Sequence, residues 1–277
     1  MKFRSPFRPI FGILATLSLA ACGGSAATNY QSFDSMVAAS NTISGSAIQS
    51  GSSLQTVALS GNYQHDTGNA TVTTGGYTLT DANGFDAGGT LTDGSAVLAT
   101  DAATYAFARR FSQTYTSGDT AFDASGVIGL ATTASDLPNS DTATYTGDAQ
   151  LTVATNGSGF EMDDGTSTVT ANFGTNRVSV VLDSFTTTIL QGSTATSAPF
   201  DRLAVSNMQI SGNRFHSGTI AFQRNGSDID VLGANATRDI EGRFFGITAD
   251  ASQPDEVGGV VLLTGNDGLV TGAFIAD

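Results

Sequence analysis

The alternation of apolar and polar residues is the sequence feature that most constrains the fold of this chain. In RVSVVLD (177–183), for example, Val178, Val180 and Leu182 fall on one face of an extended chain. A period of two is typical of β-strands that bury one face. Similar stretches recur from residue 54 onward, and turn pairs such as Asn-Gly and Asp-Gly separate them. We therefore expect an all-β fold built from sequential hairpins.

The composition of residues 22–277 agrees with an all-β fold and bounds the partners. This stretch has no Lys and only three Glu, whereas it has 22 Asp. Glu and Lys favour helices, whereas Asp favours turns. Its 8 Arg stand against 25 acidic residues, which gives a formal charge of −17. Such a charge argues against a nucleic acid as partner and against attraction to anionic lipids, and it permits electrostatic steering of a basic partner. Solubility of an exported protein is the alternative use of these acidic residues.

Residues 141–277 are predicted to form one domain, an eight-stranded antiparallel β-barrel. Short turns join consecutive strands, as Gly174-Thr175-Asn176 and Asn266-Asp267-Gly268 illustrate. Sequential hairpins favour an up-and-down order, and eight strands can close into a barrel that removes the exposed edges of the sheet. The predicted strands are 143–153, 166–173, 177–185, 203–211, 214–223, 238–247, 256–264 and 269–275.

Residues 54–140 are predicted to form a separate β-rich domain ahead of the barrel. The loop 134–141 marks the boundary between the two domains. The segment 22–53 is predicted to be a tether, with a short helix within 30–39 and a loop over 40–53 that is rich in Ser, Gly and Asn. The expected strands of the first domain are 54–63, 69–80, 94–100, 103–116 and 126–132.

The first 22 residues have the pattern of a bacterial lipoprotein signal. Three cations precede a short apolar run at 11–20, and small residues then precede Cys22, the only cysteine of the chain. The run is too short to span a membrane as a helix, which takes about 20 residues. We therefore expect residues 1–21 to be a signal peptide and Cys22 to carry the lipid that anchors the protein. An ordinary secretory signal with an incidental cysteine is the alternative.

The residue after Cys22 bears on the membrane to which the protein is sorted. An Asp at this position marks retention in the inner membrane of enteric bacteria, and this chain has Gly23 instead. We therefore expect attachment to the outer membrane, at either the cell surface or the periplasmic face.

The C-terminal half resembles the β-barrel domain of transferrin-binding protein B and its relatives among Gram-negative surface lipoproteins. The resemblance is strongest in GRFFGITADASQPDEVGGVVLLTGNDGLVTGAFIAD (242–277) and extends to 143–153 and 166–185. It implies an eight-stranded barrel preceded by a "handle" domain, which corresponds here to 54–140. It also implies binding of a protein, a haem protein or a small solute. The larger transferrin receptors have two such lobes, whereas this chain has room for one.

Residues that could support catalysis or hold a metal are scarce. The chain has two histidines, His65 and His216, and residues 22–277 contain neither a Gly-x-Ser-x-Gly elbow nor the lysine of a phosphate loop. Zinc would need more histidine and cysteine ligands than these. The acidic pairs Asp163-Asp164, Asp228/Asp230 and Asp255-Glu256 are interpreted as turn and solubility residues. We therefore expect no cofactor, no metal site and no enzymatic activity.

Tyrosines are the candidate partner-binding residues. All six precede residue 146, and four of them, Tyr63, Tyr77, Tyr105 and Tyr115, fall in the handle-like region. Tyrosine is enriched at the residues that dominate protein interfaces. Packing between the two domains is the alternative use of such a cluster.

The predicted function is that of an outer-membrane lipoprotein that binds a protein or solute ligand without catalysis. Capture of a nutrient or a metal source would be the purpose of that binding. The alternative is a structural envelope lipoprotein with no dedicated nutrient ligand.

Overall fold

The computed structural model describes residues 41–49, 55–64, 69–74, 77–81, 90–93, 96–100, 105, 107–117, 120–155, 157–190, 193–246 and 253–277. The regular elements among them are β-strands, as the alternation predicts. No helix among these residues is long and apolar enough to cross a membrane. The predicted signal peptide, Cys22, the helix expected within 30–39 and His65 lie outside the described residues.

Strands β1 to β8 form a first barrel, which closes because β1 pairs with both β2 and β8. The handle-like region is therefore itself a ring of eight strands. Its core includes Ile43, Leu59, Tyr63, Val72 and Val127, each at most 2% exposed. The strands are β1 Asn41–Gln49, β2 Gln55–Gln64, β3 Asn69–Thr74, β4 Tyr77–Asp81, β5 Thr90–Asp93, β6 Ala96–Thr100, β7 Ala108–Ser117 and β8 Thr120–Gly129.

Strand β1 corrects the prediction of a loop over 40–53. Asn41–Gln49 pairs with β2 along its whole length, so the first barrel begins at residue 41 rather than 54. The Ser- and Gly-rich composition of this stretch favours a loop, so the strand was not predicted. The structure explains the glycine: Gly45 lies where two strands approach closely, and a Cβ there would lie 2.7 Å from Ile128 Cα. The prediction also missed β5 and read the β3–β4 hairpin as one strand.

The second barrel is a ring of eight strands that runs β9, β10, β11, β13, β14, β17, β18, β19 and returns to β9. Neighbours are antiparallel and follow chain order, so the predicted up-and-down barrel is confirmed. The strands of this region are β9 Thr142–Thr155, β10 Ser158–Asn172, β11 Arg177–Asp183, β12 Thr186–Ile189, β13 Arg202–Ser211, β14 Arg214–His216, β15 Thr219–Arg224, β16 Ser227–Ile229, β17 Thr237–Phe245, β18 Glu256–Thr264 and β19 Gly268–Ala276.

Two breaks distinguish the second barrel from the eight predicted strands. The stretch 214–223 is two strands, because Ser217 and Gly218 have positive φ (64° and 120°) and interrupt the ladder. Beyond this break, β15 pairs with β16 through the Asn225-Gly226 turn. Strand β12 continues the direction of β11 after a kink at Ser184 (φ 60°), and it pairs with β10.

The interior of the second barrel is a packed aromatic core. The ring centroid of Phe244 lies 5.4 Å from those of Phe173 and Phe215, and Phe200 lies 4.9 Å from Phe222. Branched aliphatic residues fill the space between the rings. Small barrels of this kind are filled by their side chains. Each of the seven phenylalanines of this core is at most 5% exposed: Phe160, Phe173, Phe200, Phe215, Phe222, Phe244 and Phe274.

Strand β18 is buried on both faces, which explains its nearly uninterrupted apolar sequence. Val257, Val261 and Leu263 belong to the core of the second barrel. Val260 and Leu262 pack instead with residues of the first barrel. The two barrels therefore share a hydrophobic interface along β18, which Ala273 and Ile275 of β19 extend.

Candidate functional site

A buried carboxylate lies where the two barrels meet. Glu256, the first residue of β18, is 3% exposed, and the backbone N–H of Phe107 donates to both of its oxygens at 3.0 Å. Hydrogen bonds to an ionised carboxylate are stronger than those between neutral groups. The sequence predicts a turn or solubility residue at Glu256. Glu256 instead satisfies an N–H that precedes β7, in the other barrel. We use the term junction for Tyr105, Phe107, Thr132, Gly246 and Glu256.

Gly246 joins the end of β17 to the segment that leaves the first barrel. Its N–H donates to the Leu130 carbonyl (2.9 Å), and its carbonyl accepts the hydroxyl of Thr132. Gly246 has φ 65°, and a Cβ there would lie 2.6 Å from Cδ2 of Phe107. Glycine alone meets both conditions without strain. The Phe-Phe-Gly sequence at 244–246 is thus explained by the junction and not by a ligand.

Tyr105 connects the first barrel to β9. Its hydroxyl donates to the Asp148 carboxylate at 3.1 Å. Burial raises the pKa of the Tyr105 phenol, and the negative charge of Asp148 raises it further, so the phenol is a protonated donor at neutral pH. The buried guanidinium of Arg109 donates to the carbonyls of Tyr105 and Ala108, which holds the backbone that enters β7.

The structure describes the side chains of two of the four tyrosines that the sequence proposes for partner binding. Tyr63 is fully buried in the first barrel, and Tyr105 is 9% exposed at the junction. Packing between the two domains, the alternative interpretation, describes Tyr105 at the junction, whereas Tyr63 packs inside the first barrel. Tyr77 begins β4 and Tyr115 lies in β7, but their side chains are outside the described part of the chain. Partner binding by Tyr77 and Tyr115 stays a prediction.

The end of the second barrel opposite the junction carries a set of exposed connections, which we call the distal rim. At the junction end, Leu137 of the linking segment packs against the barrel core. At the distal end, Phe200, Val231 and Leu232 of the connecting loops pack into the core, and the turns use left-handed backbone, as at Gly157, Asn225 and Asn235 (φ 78°, 52° and 58°). The distal rim comprises Gly157, β12, the loop 193–201, the turn at Asn225-Gly226, the loop 230–236 and the turn 265–267.

Two cavities lie on the distal rim. The first has a volume of about 470 Å³ and lies between the β9–β10 and β18–β19 turns, where Ser158 and Asp267 are among its lining residues. The second, of about 270 Å³, lies where β15 separates from β17 and is lined by residues that include Phe222, Asp230 and Arg238. Neither lining includes a histidine or a cysteine.

The histidine that the structure describes lies on the outer wall of the second barrel. His216 is exposed, its Nδ1 lies 3.1 Å from the hydroxyl of Ser217, and Glu241 stands opposite it in the β14–β17 ladder. A serine beside a histidine needs a water-excluded pocket and oxyanion donors to act as a nucleophile, and this pair lies on an open strand surface. Among the described residues, no group of three His, Cys, Asp or Glu is placed to hold a metal.

Sequence reasoning missed strand β12 as a feature of the distal rim. Thr186, Thr187, Thr188 and Ile189 are a run of β-branched residues, which favours a strand. The predicted strand 177–185 ends just before this run, and the structure ends β11 at Asp183, ahead of the kink at Ser184.

Comparison with protein families identifies the second barrel. A family model described as "C-lobe and N-lobe beta barrels of Tf-binding protein B" matches residues 137–277. This match contains every strand from β9 to β19. No curated protein matches the sequence.

Two solved structures share the fold across both barrels. The first, a Trp-176-Ala mutant of transferrin-binding protein B from Haemophilus parasuis Hp5, has a TM-score of 0.54 and 14% identity, over 86% of this chain and 45% of that one. The second, isotype 1 transferrin-binding protein B from serogroup B Neisseria meningitidis, has a TM-score of 0.53 and 16% identity, over 86% of this chain and 43% of that one. The chain thus spans less than half the length of these two proteins.

Proposed function

The chain belongs to the family of the C-lobe and N-lobe barrels of transferrin-binding protein B, and on this premise we propose that it is a surface lipoprotein that binds a protein partner without catalysis. The observation that carries the proposal is the family match over the whole second barrel. The similar structures are transferrin-binding proteins by name, which supports a host protein that carries a metal or nutrient as the class of partner. Because the chain covers less than half of each, the proposal does not extend to transferrin itself.

Lipid attachment at Cys22 is the proposed means of anchoring. The charged head, the short apolar run and the small residues before the sole cysteine support it. Substitution Cys22→Ser should release the protein from the outer-membrane fraction or block its processing. A Cys22→Ser protein that stays in that fraction with a processed N-terminus elsewhere would contradict lipid anchoring.

The distal rim is the proposed contact region for the partner. The opposite end of the second barrel is occupied by the junction, and the outer faces of β18 and β19 are covered by the first barrel. The seven buried phenylalanines fill the interior, so a partner bound at the rim fits this barrel better than a solute bound inside it. With a formal charge of −17 in residues 22–277, a basic partner would associate faster at low salt.

A structural envelope lipoprotein is the second candidate, and the filled barrel interior is the observation that favours it. Retention of a partner distinguishes the two functions. The soluble fragment that begins at Gly23 would be immobilised and exposed to host serum at low and at high salt, and retained proteins would be identified by mass spectrometry. We expect a basic protein that elutes as salt rises. Retention of no protein at any salt concentration would favour the structural function.

A further inference from the structure

Strand β12 presents an open sheet edge on the distal rim. It pairs with β10 on one side, and within the described ranges no strand pairs with its other side. The N–H of Leu190 donates to the Gly159 carbonyl at 2.9 Å. Because hydrogen-bonding direction alternates along an antiparallel strand, Thr187 and Ile189 direct their N–H and C=O groups to the open side. Within the described part of the chain, these two N–H and two C=O groups therefore have no strand partner.

The side chains of β12 suit the addition of a strand. Natural proteins protect exposed edges with charged residues or proline, and the four residues of β12 include neither. Ile189 and the following Leu190 are 38% and 36% exposed, and they are the large apolar residues most exposed in the described part of the chain. An open edge beside exposed apolar side chains is the arrangement that recognises extended peptides.

The charges around β12 select the kind of strand that can be added. Glu161 and Asp163 of β10 stand opposite Thr188 and Thr186, and Asp164 and Asp183 flank them in sequence. Arg202 is paired in register with Asp183. Neighbouring strands lie about 4.8 Å apart, so long Arg or Lys side chains of an added strand can reach across β12 to the carboxylates of β10, whereas a second copy of this acidic chain would add further carboxylates to this surface. The edge therefore disfavours self-association and favours a basic strand.

We propose that β12 binds an extended, basic segment of the partner protein as an added β-strand. The backbone of that segment bonds to Thr187 and Ile189, its apolar side chains cover Ile189 and Leu190, and its Arg or Lys side chains face Glu161 and Asp164. This inference rests on the proposed function, because it states how the partner is held.

A peptide of defined chemistry tests the edge without knowledge of the partner. The probe is a capped octapeptide of alternating arginine and valine, titrated into the soluble protein that begins at Gly23 and followed by amide NMR. We expect shifts and slowed hydrogen exchange at the Thr187 and Ile189 amides. A glutamate–valine peptide should not bind. An arginine–valine peptide with N-methyl groups on alternate residues should bind roughly ten times more weakly, because it lacks the ladder donors.

Proline substitution at the edge provides the matched variants. Thr187→Pro removes one outward N–H and leaves the β10 ladder intact, since proline is tolerated where the N–H faces away from the sheet. It should weaken peptide binding roughly five- to tenfold, whereas Thr187→Val, which keeps the N–H, should bind as the wild type does. Glu161→Gln with Asp164→Asn should weaken binding and reduce its dependence on salt.

The outcomes separate this inference from the proposed function. A serum protein that binds wild type and Thr187→Pro equally would overturn the β12 inference and leave the proposed function standing. Equal binding of the glutamate and arginine peptides, or shifts away from β12, would also overturn it. A dimer of the protein alone that Thr187→Pro dissociates would assign the edge to a second copy instead.

Discussion

The backbone N–H of Phe107 points at both carboxylate oxygens of Glu256, at 3.0 Å from each, across 149 residues of sequence. Phe107 precedes the first residue of β7 and Glu256 begins β18, so the contact joins corresponding strand starts in the two barrels. Both residues are buried, at 6% and 3% exposure. The acidic residue ahead of Gly258-Gly259 is therefore part of the connection between barrels. The family resemblance in this stretch marks a fold and not a ligand site.

Glu256→Ala should destabilise the protein by about 1–3 kcal/mol, because it leaves the buried N–H of Phe107 without these acceptors. Glu256→Gln, which keeps one acceptor oxygen, should cost less. Glu161→Ala, at an exposed position on β10, is the control and should change stability by less than about 0.5 kcal/mol. Urea denaturation measures all three. Equal midpoints for Glu256→Ala and Glu161→Ala would show that the contact is energetically neutral.

Gly246→Ala should destabilise the junction more than Gly157→Ala does. Both glycines have positive φ, 65° and 78°, so both substitutions cost about 1 kcal/mol for backbone conformation. A Cβ at Gly246 would also meet the Phe107 ring at 2.6 Å, whereas at Gly157 nothing lies within 4 Å. We expect an additional loss of about 1–3 kcal/mol for Gly246→Ala. The difference in unfolding free energy between the two variants measures the clash alone, and a difference near zero would contradict it.

The second barrel could be predicted closely because its signals are local. Alternation and turn pairs depend on residues near in sequence, and strand 256–264 was predicted to its last residue. The junction could not be predicted, because Phe107 and Glu256 are 149 residues apart and no local sequence pattern links them. Strand β1 was missed for a different reason: Gly45 and the serines around it favour a loop by propensity, and tertiary pairing overrides that preference.

Tyr105→Phe should lower the stability of the protein, whereas Tyr145→Phe should not. The Tyr145 hydroxyl is buried in the second barrel, and no described group hydrogen-bonds it. Its removal should leave stability unchanged or raise it by up to about 1 kcal/mol. Removal of the Tyr105 hydroxyl loses the bond to Asp148 and should cost about 0.5–1.5 kcal/mol. Thermal melts of the two variants provide the comparison, and a larger loss for Tyr145→Phe would contradict this assignment.

The same two phenols predict a loss of stability in alkali. Burial raises the pKa of both, with Asp148 adding to the effect at Tyr105 and Asp255 at Tyr145. The unfolded chain releases these protons near the ordinary tyrosine pKa of about 10, whereas the folded protein retains them. The stability contributed is therefore complete below about pH 10 and falls as the pH rises above it. Above pH 10, the unfolding free energy of Tyr145→Phe should fall less steeply with pH than that of the wild type. Below pH 9, the two curves of unfolding free energy against pH should run parallel.

The isolated second barrel, residues 137–277, should close its own ring but associate in solution. The strands of its ring pair with one another, so the ring does not need the first barrel. Without the first barrel, however, the apolar side chains of Val260, Leu262 and Ile275 would be exposed to solvent. Val260→Thr with Leu262→Thr should make the fragment monomeric while its β-type circular dichroism is retained. Val261→Thr, which faces the core, is the matched control and should lower the melting temperature without restoring the monomer. A wild-type fragment that is monomeric, or one that is unfolded, would contradict the prediction.

Hydrogen exchange of the soluble protein with and without its captured serum partner tests the central claim most directly, since the claim is protein binding at the distal rim. We predict slowed exchange at the amides of Gly157, of β12, of the loop 193–201 and of the turn 265–267. Exchange at the junction, including Phe107 and Gly246, should be unchanged. Protection confined to the outer wall around His216, or no captured protein to add, would contradict the account.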